Sequence, residues 1–214
     1  MICMTTDLFP ASEFDDWAAS YDTSVAIDQF PFHGYQDVLR KTFALSGARS
    51  GYSVLDLGTG TGNLALLFAR AGCDLWFTDF SRPMLDRARA KLPSGHFLLH
   101  DVRADLPPDF NRRYDRIVSA YVFHHFILEE KIRILSSIVS RNLLPDGLVV
   151  IADISFPDSA SLERLKFTMR DEWENEFYWL ADESLPALQR IGLQADYVQA
   201  SPCAGIFTIR PLTS

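Results

Sequence analysis

Between residues 50 and 155 the apolar positions of this 214-residue chain switch repeatedly between two spacings. Short apolar, β-branched or aromatic runs at 52–57, 73–78, 95–100, 114–121 and 148–152 predict buried strands. Helical patterns separate them. Residues 64–71 form one, closed by Gly72. Another is capped by Ser81, carries Pro83 in its first turn and has Met84, Leu85, Ala88 and Leu92 on one face. A third runs over 129–142 with Ile132, Leu135, Ile138 and Val139 aligned. Strands alternating with helices in this way predict right-handed βαβ units, and so a mostly parallel α/β sheet covered on both faces.

The two ends depart from this rhythm. Residues 12–22 and 35–47 predict two helices ahead of the first strand. Residues 159–180 predict an acidic and aromatic helical region after the fifth strand, and 185–191 a short helix stopped by Gly192. Residues 193–200 and 205–210 predict a hairpin joined across Pro202. No repeat, low-complexity tract or linker breaks the chain, so one domain is expected: a helical cover over 1–50, a core over 51–156, a lid and helix over 157–192 and the hairpin over 193–214.

Charge changes the picture more by its position than by its sum. The chain has 20 Lys and Arg against 28 Asp and Glu, a net charge of −8. Residues 1–39 hold seven acids (Asp7, Glu13, Asp15, Asp16, Asp22, Asp28, Asp37) and no Lys or Arg. Residues 171–183 hold six more (Asp171, Glu172, Glu174, Glu176, Asp182, Glu183), again without a basic residue. The remainder is net basic by about five charges. Apart from the small cluster Arg112, Arg113 and Arg116, no basic stripe is present to release counterions, so a nucleic-acid partner is not expected. The longest apolar stretch, 64–69, is far below the roughly 20 residues that span a bilayer, and a secretory leader pattern is missing. A soluble cytoplasmic protein with no membrane partner is therefore expected. Cys3, Cys73 and Cys203 are odd in number and far apart, which offers neither a disulfide framework nor a zinc motif. Of the five histidines only His96 and His100 stand four apart, in a predicted strand rather than a helix, and without an H-E-x-x-H no metal motif is offered either.

The candidate chemistry begins at 54–63, Val-Leu-Asp-Leu-Gly-Thr-Gly-Thr-Gly-Asn, where a strand ends in three glycines at alternate positions and a helix follows. Gly58, Gly60 and Gly62 allow positive φ and close approach of a ligand, and the helix start offers free N–H groups. A dinucleotide fingerprint would read G-x-G-x-x-G; here the third glycine comes one residue early, and Asp56 stands two positions before the first. The pattern D-x-G-x-G-x-G resembles motif I of the class I S-adenosylmethionine-dependent methyltransferases. Further segments extend the likeness over about 13–210: Asp79 ending the second strand, His100-Asp101-Val102 ending the third, residues 114–121 with Phe123-His124-His125-Phe126 after them, and the turn at 144–150. Phe14-Asp15-Asp16-Trp17-Ala18-Ala19-Ser20-Tyr21-Asp22 is similar to the F-D-x-W-A-x-x-Y-D opening of many small-molecule methyltransferases, those of ubiquinone and menaquinone synthesis included, and the whole resembles a group of small bacterial methyltransferases.

The resemblance implies a Rossmann-like doubly wound sheet of seven strands in the order 3-2-1-4-5-7-6 with strand 7 antiparallel, N-terminal helices and a helical lid insertion. It implies S-adenosylmethionine as cofactor, held by Tyr21, Asp56, Gly58, Thr59, Gly60, Gly62, Asp79, Phe80, Met84, Asp101, Val102 and Ser119. In that family Asp79 would accept the ribose hydroxyls and Asp101 the adenine amino group. His124 and His125, just past the fourth strand, are candidates for a base or acceptor ligand; in an α-helix neighbours point about 100° apart, so at most one is expected to face the site. Tyr121 and Ser119 are candidates to line the acceptor pocket. An [DN]-P-P-[YF] motif of DNA aminomethyltransferases is replaced by Ser119-Ala120-Tyr121-Val122, and the acidic aromatic stretch at 171–179 suits a cationic or amine-bearing small molecule. Methylation would fall on oxygen, nitrogen or carbon, and S-adenosylhomocysteine would be released. Two alternatives are a nicotinamide-dependent oxidoreductase and a non-catalytic S-adenosylmethionine-binding regulator.

Overall fold

A computed structural model describes residues 10–170, 173 and 175–212. Cys3, Asp7, Asp171, Glu172 and Glu174 of the sequence reading lie outside the described residues. The chain runs α1 (Ala11–Trp17), α2 (Tyr21–Ser24), α3 (Tyr35–Ser46), β1 (Ser53–Leu57), α4 (Ala65–Arg70), β2 (Asp74–Asp79), α5 (Arg82–Lys91), β3 (His96–Leu99) and β4 (Tyr114–Ala120). A 3-10 turn (Phe123–His125) leads into α6 (Leu128–Asn142), β5 (Leu143–Phe156), α7 (Ser159–Met169), β6 (Trp179–Leu180), α8 (Ala181–Arg190), β7 (Leu193–Gln199) and β8 (Ala204–Pro211).

The sheet order is β3-β2-β1-β4-β5-β8-β7, with β8 antiparallel to both neighbours and the two-residue β6 added parallel to the end of β5. Apart from that extra strand, this is the order expected from the resemblance. Alternate side chains of each central strand supply opposite faces. Val54, Val118 and Val150 join one apolar cluster with α3 and α4; Leu55, Ile117, Val149 and Ile151 join the other with α6 and α8. Double burial explains the continuous apolar runs seen in the sequence. The order reverses between β1 and β4, so the carboxyl ends of β1, β2 and β4 open onto a crevice at the switch point.

The ends of the chain differ from expectation in three places. The helix expected over 12–22 is broken at residues 18–20 into α1 and α2. Helix α7 stops at Met169, and Arg170 takes a φ of +51°, which a right-handed helix cannot contain. The described residues of 173–178 are not helical; Trp173 and Tyr178 pack against Phe156 instead, and Trp179 pairs with Ser155 as a strand. The final helix starts at Ala181 rather than 185 and accommodates Pro186, with Ala181, Ser184, Ala187 and Leu188 making its buried face.

The acid-rich cover is held down by its own acids. Asp22 accepts hydrogen bonds from Thr61 Oγ1 (2.6 Å) and Asn63 Nδ2 (3.0 Å) beside the glycine turn, and pairs with Lys91 at 2.7 Å. Asp15 accepts from Ser81 Oγ at 2.6 Å, while that hydroxyl caps α5 by accepting from the Met84 amide. Trp173 stacks on Phe30 at 5.3 Å, so the segment after α7 meets the cover from the opposite side. Among the described residues no helix is long and apolar enough to cross a membrane.

The Asp22→Ala variant removes three partners at once. It should lower stability by about 1–2 kcal/mol, since the Lys91 pair is partly exposed and adds little, while buried Thr61 loses its acceptor. That corresponds to roughly 3–6 °C in Tm for a chain of this size, read by differential scanning calorimetry. A Tm equal to wild type would show that the cover is held elsewhere.

Candidate active site

The crevice holds a cavity of about 1080 Å³, at the upper end of the roughly 300–1,000 Å³ usual for small-molecule sites. At one end stand Asp56, Gly58, Thr59, Gly60, Asp79, Phe80, Met84, Asp101 and Val102; at the other stand Tyr121, Val122, His124, His125, Glu176 and Phe177; Glu13, Phe14, Trp17 and Tyr21 close over the top. Thirteen of the sequence-predicted site residues border this one space: Tyr21, Asp56, Gly58, Thr59, Gly60, Asp79, Phe80, Met84, Asp101, Val102, Tyr121, His124 and His125. Ser119 and Gly62 do not. The Ser119 hydroxyl donates to the Leu57 carbonyl at 2.7 Å and ties β4 to β1, while the bare side of Gly62 faces Ala88 and Leu92 of α5.

Each glycine of the turn has its own reason. At Gly58 an added Cβ would come within 2.5 Å of Val122, so the turn and the residue after β4 can touch only without it. Gly60, with φ +55°, has nothing within 4 Å of where a Cβ would stand, and that open side borders the cavity.

Two carboxylates lie at the tips of adjacent strands. Asp56 is 2% exposed and Asp79 5%. Thr59 Oγ1 donates to Asp56 at 2.8 Å, and the amides of Gly60 and Ser81 donate to Asp79 at 2.7 and 2.8 Å. The ion pairs found among the described residues include neither group. Burial pushes Asp56 up to about 7, with the Asp79 charge adding to it, and pushes Asp79 up to about 6 against the pull of its amide donors. Asp101 behaves oppositely. Burial would raise it, but Arg103 reaches its carboxylate through Nε (2.9 Å) and Nη2 (2.6 Å) and holds the pKa below the usual range.

The other end is built around a turn. Tyr121 adopts a φ of +59°, an uncommon and costly conformation for a residue with a side chain, and it redirects the chain from β4 into the turn Phe123–His125. Its hydroxyl is buried without a hydrogen-bond partner among the described residues. Both His124 and His125 border the cavity, with ring centroids 4.0 Å apart, so the expectation that at most one would do so is corrected: neighbours in a 3-10 turn point ~120° apart, and the cavity reaches around the turn to both. His124 Nδ1 lies 2.5 Å from Asp153 Oδ1, and its backbone amide donates to the other oxygen at 3.0 Å. Its Nε2 faces Glu176 at 3.8 Å, and His125 Nε2 faces the same carboxylate at 3.9 Å. Burial would lower His124, but Asp153 and then Glu176 outweigh it and its pKa is raised; burial and the neighbouring His124 push His125 down to about 2. Phe14 bridges the two ends, 5.0 Å from the Phe80 ring and 5.3 Å from the His125 ring.

Asp153 and Glu176 carry much of this arrangement, and neither was among the predicted site residues. Asp153 was detectable in principle as one acid within an apolar strand run; it is fully buried and also accepts from Trp179 Nε1 and the Ile154 amide. Glu176 sits in the acidic segment flagged for ligand binding. That segment is anchored where the Phe177 amide donates to the His124 carbonyl and Lys131 Nζ donates to the Phe177 carbonyl.

A family model described as a methyltransferase domain matches residues 54–147. A protein named as an uncharacterized methyltransferase from Geobacillus kaustophilus is 31% identical over 204 residues, covering 87% of this chain and 89% of its own. Another so named, from Geobacillus sp. strain WCH70, is 32% identical over 179 residues, covering 79% and 78%. Among solved structures, a complex of DhpI with SAM and HEP superposes with a TM-score of 0.73 at 20% identity, covering 97% of this chain and 99% of that one. Magnesium protoporphyrin IX methyltransferase from Synechocystis PCC 6803 with bound SAH gives a TM-score of 0.69 at 18% identity, covering 94% and 100%.

Replacing Asp56 by Asn keeps an acceptor for Thr59 and removes the buried charge. A carboxyl whose folded pKa lies above its unfolded value weakens folding progressively as pH rises from about 4 to about 7. The Asp56→Asn variant should therefore gain Tm relative to wild type, with the gap widening as pH rises to about 7 and levelling above it in parallel thermal melts. A gap that is constant with pH would mean that Asp56 is ionised in the fold at no cost.

Proposed function

The chain belongs to the methyltransferase-domain family, and we propose that it transfers a methyl group from S-adenosylmethionine to a small-molecule acceptor bound at the histidine end of the cavity. The observation that carries this reading is the pair of buried carboxylates, Asp56 and Asp79, beside the open Gly60. Two such groups in a low dielectric repel a pyrophosphate and favour a ligand that brings positive charge and hydroxyl donors. S-adenosylmethionine brings a sulfonium, an ammonium and two ribose hydroxyls, so the donor set fits it. The same electrostatics, together with the short glycine spacing, disfavours the nicotinamide alternative. Support also comes from the fold neighbours, a complex with SAM and another with bound SAH.

In this reading Asp79 accepts the ribose hydroxyls, Asp56 faces the positively charged end, and the turn at Gly58, Thr59 and Gly60 lies along the ligand. Phe80, Met84 and Val102 flank the adenine, with Asp101 at its rim and Tyr21 closing the cover. When bound, the cofactor supplies a methyl already activated by sulfonium charge. The protein's task is alignment and exclusion of water, and positioning of this kind can contribute roughly 7–11 kcal/mol. The acceptor meets His124, which Asp153 orients, together with His125 and Glu176. Glu13, Glu130 and Glu176 border the cavity beside Phe14 and Phe177, a lining that suits a cationic or amine-bearing acceptor and repels polyanions.

By isothermal calorimetry, Asp79→Ala and Gly60→Val should each weaken S-adenosylmethionine binding tenfold or more, the first through lost charge-assisted hydrogen bonds of about 1.5–3 kcal/mol. Wild-type affinity should fall as pH drops through about 6, because the protonated Asp79 carboxyl no longer accepts as an anion. Unchanged affinity in folded variants, or preferential binding of a nicotinamide dinucleotide, would overturn the reading. With a working acceptor, His124→Ala should cut kcat/KM at least a hundredfold while cofactor affinity holds.

A further inference from the structure

We propose that His124, His125 and Glu176 form a binding site for one divalent first-row transition-metal ion, which would hold the acceptor through a hydroxyl oxygen. Three observations point to it. The first is the donor set. One atom from each of the three side chains falls within 4.8 Å of the others, and Glu176 faces both imidazoles at 3.8 and 3.9 Å. Two imidazole nitrogens and a carboxylate oxygen suit zinc, cobalt, manganese or ferrous iron better than magnesium or calcium, which take oxygen donors.

The second is the support behind the donors. Metal-binding histidines ordinarily have their other ring nitrogen held by a carboxylate or carbonyl. Here Asp153 holds His124 Nδ1, which leaves Nε2 as the nitrogen turned toward Glu176, and the Val122 backbone hydrogen-bonds the His125 ring. Asp153 is itself fixed by the His124 amide, Trp179 Nε1 and the Ile154 amide, so the His124 ring has little freedom to turn away.

The third is placement. All three side chains border the cavity, Phe14 links His125 to the cofactor end, and Glu176 enters on the segment pinned by the bond from the Phe177 amide to the His124 carbonyl. Around a tetrahedral zinc the donor atoms stand ~3.4 Å apart. The donors here are somewhat wider spaced, a difference that side-chain rotations within the cavity can close. An acceptor hydroxyl that binds the ion yields its proton to solvent, and the bound oxygen keeps a further lone pair to present toward the cofactor end. A neutral amine, whose one lone pair the ion would occupy, is not activated in this way.

Metal binding stands independently of the methyl-transfer reading, whereas the acceptor role rests on it. The test is titration of untagged, chelator-treated protein with cobalt(II), followed by its visible d–d absorption. A saturable site of one ion per chain is expected, displaced by zinc(II). Glu176→Gln and His125→Ala should each weaken cobalt binding tenfold or more and change the d–d spectrum, while both variants keep wild-type S-adenosylmethionine affinity by calorimetry. Wild-type protein without a saturable d–d signal would overturn the proposal, and so would cobalt binding that neither variant changes. Loss of cofactor affinity in wild-type protein with an intact cobalt site would instead count against the methyl-transfer reading alone.

Discussion

Burying a carboxylate without a cation is costly, and this fold does it twice at the tips of neighbouring strands. Asp56 is the penultimate residue of β1 and Asp79 ends β2, which run side by side in register, and both side chains sit below the surface with raised pKa values. What the fold provides in return is a set of short donors: a threonine hydroxyl on Asp56 and backbone amides on Asp79. Those donors come from the glycine turn and the start of α5, so the local backbone is shaped by the need to hold the acids. The uncompensated negative charge gives the cavity its preference. A cationic adenosyl ligand completes it, and an anionic one does not.

The surrounding elements follow from that centre. The cover is docked by Asp15 and Asp22 onto Ser81, Thr61 and Asn63, which belong to or adjoin the two acid-holding segments, and onto Lys91 at the far end of α5. Its aromatic residues then roof the cavity. On the far side the left-handed Tyr121 turns the chain so that two adjacent histidines enter the same space, and Gly58 makes room for the Val122 that lies between. The acids of the cover, concentrated in the sequence, therefore serve docking as well as the lining of the cavity.

Much of this was legible in the sequence because the physics involved is local. Apolar periodicity gave the order of the core elements, Ser81 and Pro83 marked a helix start that the structure bears out, and the spacing of Gly58, Gly60 and Gly62 marked the turn. The misses share a different cause. Residues 170–178 read as helix, yet Arg170 breaks the right-handed conformation and Trp173 and Tyr178, half-buried, pack against Phe156, a tertiary preference that periodicity does not report. Asp153 and Glu176 acquire meaning only through the turn that carries His124 and His125, which the left-handed Tyr121 leads into and which periodicity does not report. Ser119 looked like a cavity residue at a strand end, but its hydroxyl is committed to the neighbouring strand.

The account stands most directly on the protonation of the two buried acids when S-adenosylmethionine binds. Calorimetric titration at pH 6.5 in buffers of differing ionisation enthalpy measures it. Before binding, Asp56 is mostly protonated and Asp79 partly so; a ligand bearing positive charge favours both ionised forms. Binding should then release protons, on the order of one per chain, fading above pH 8 and diminished in Asp56→Asn. Proton uptake, or binding without proton exchange at pH 6.5, would contradict the claim that these carboxylates receive the cofactor.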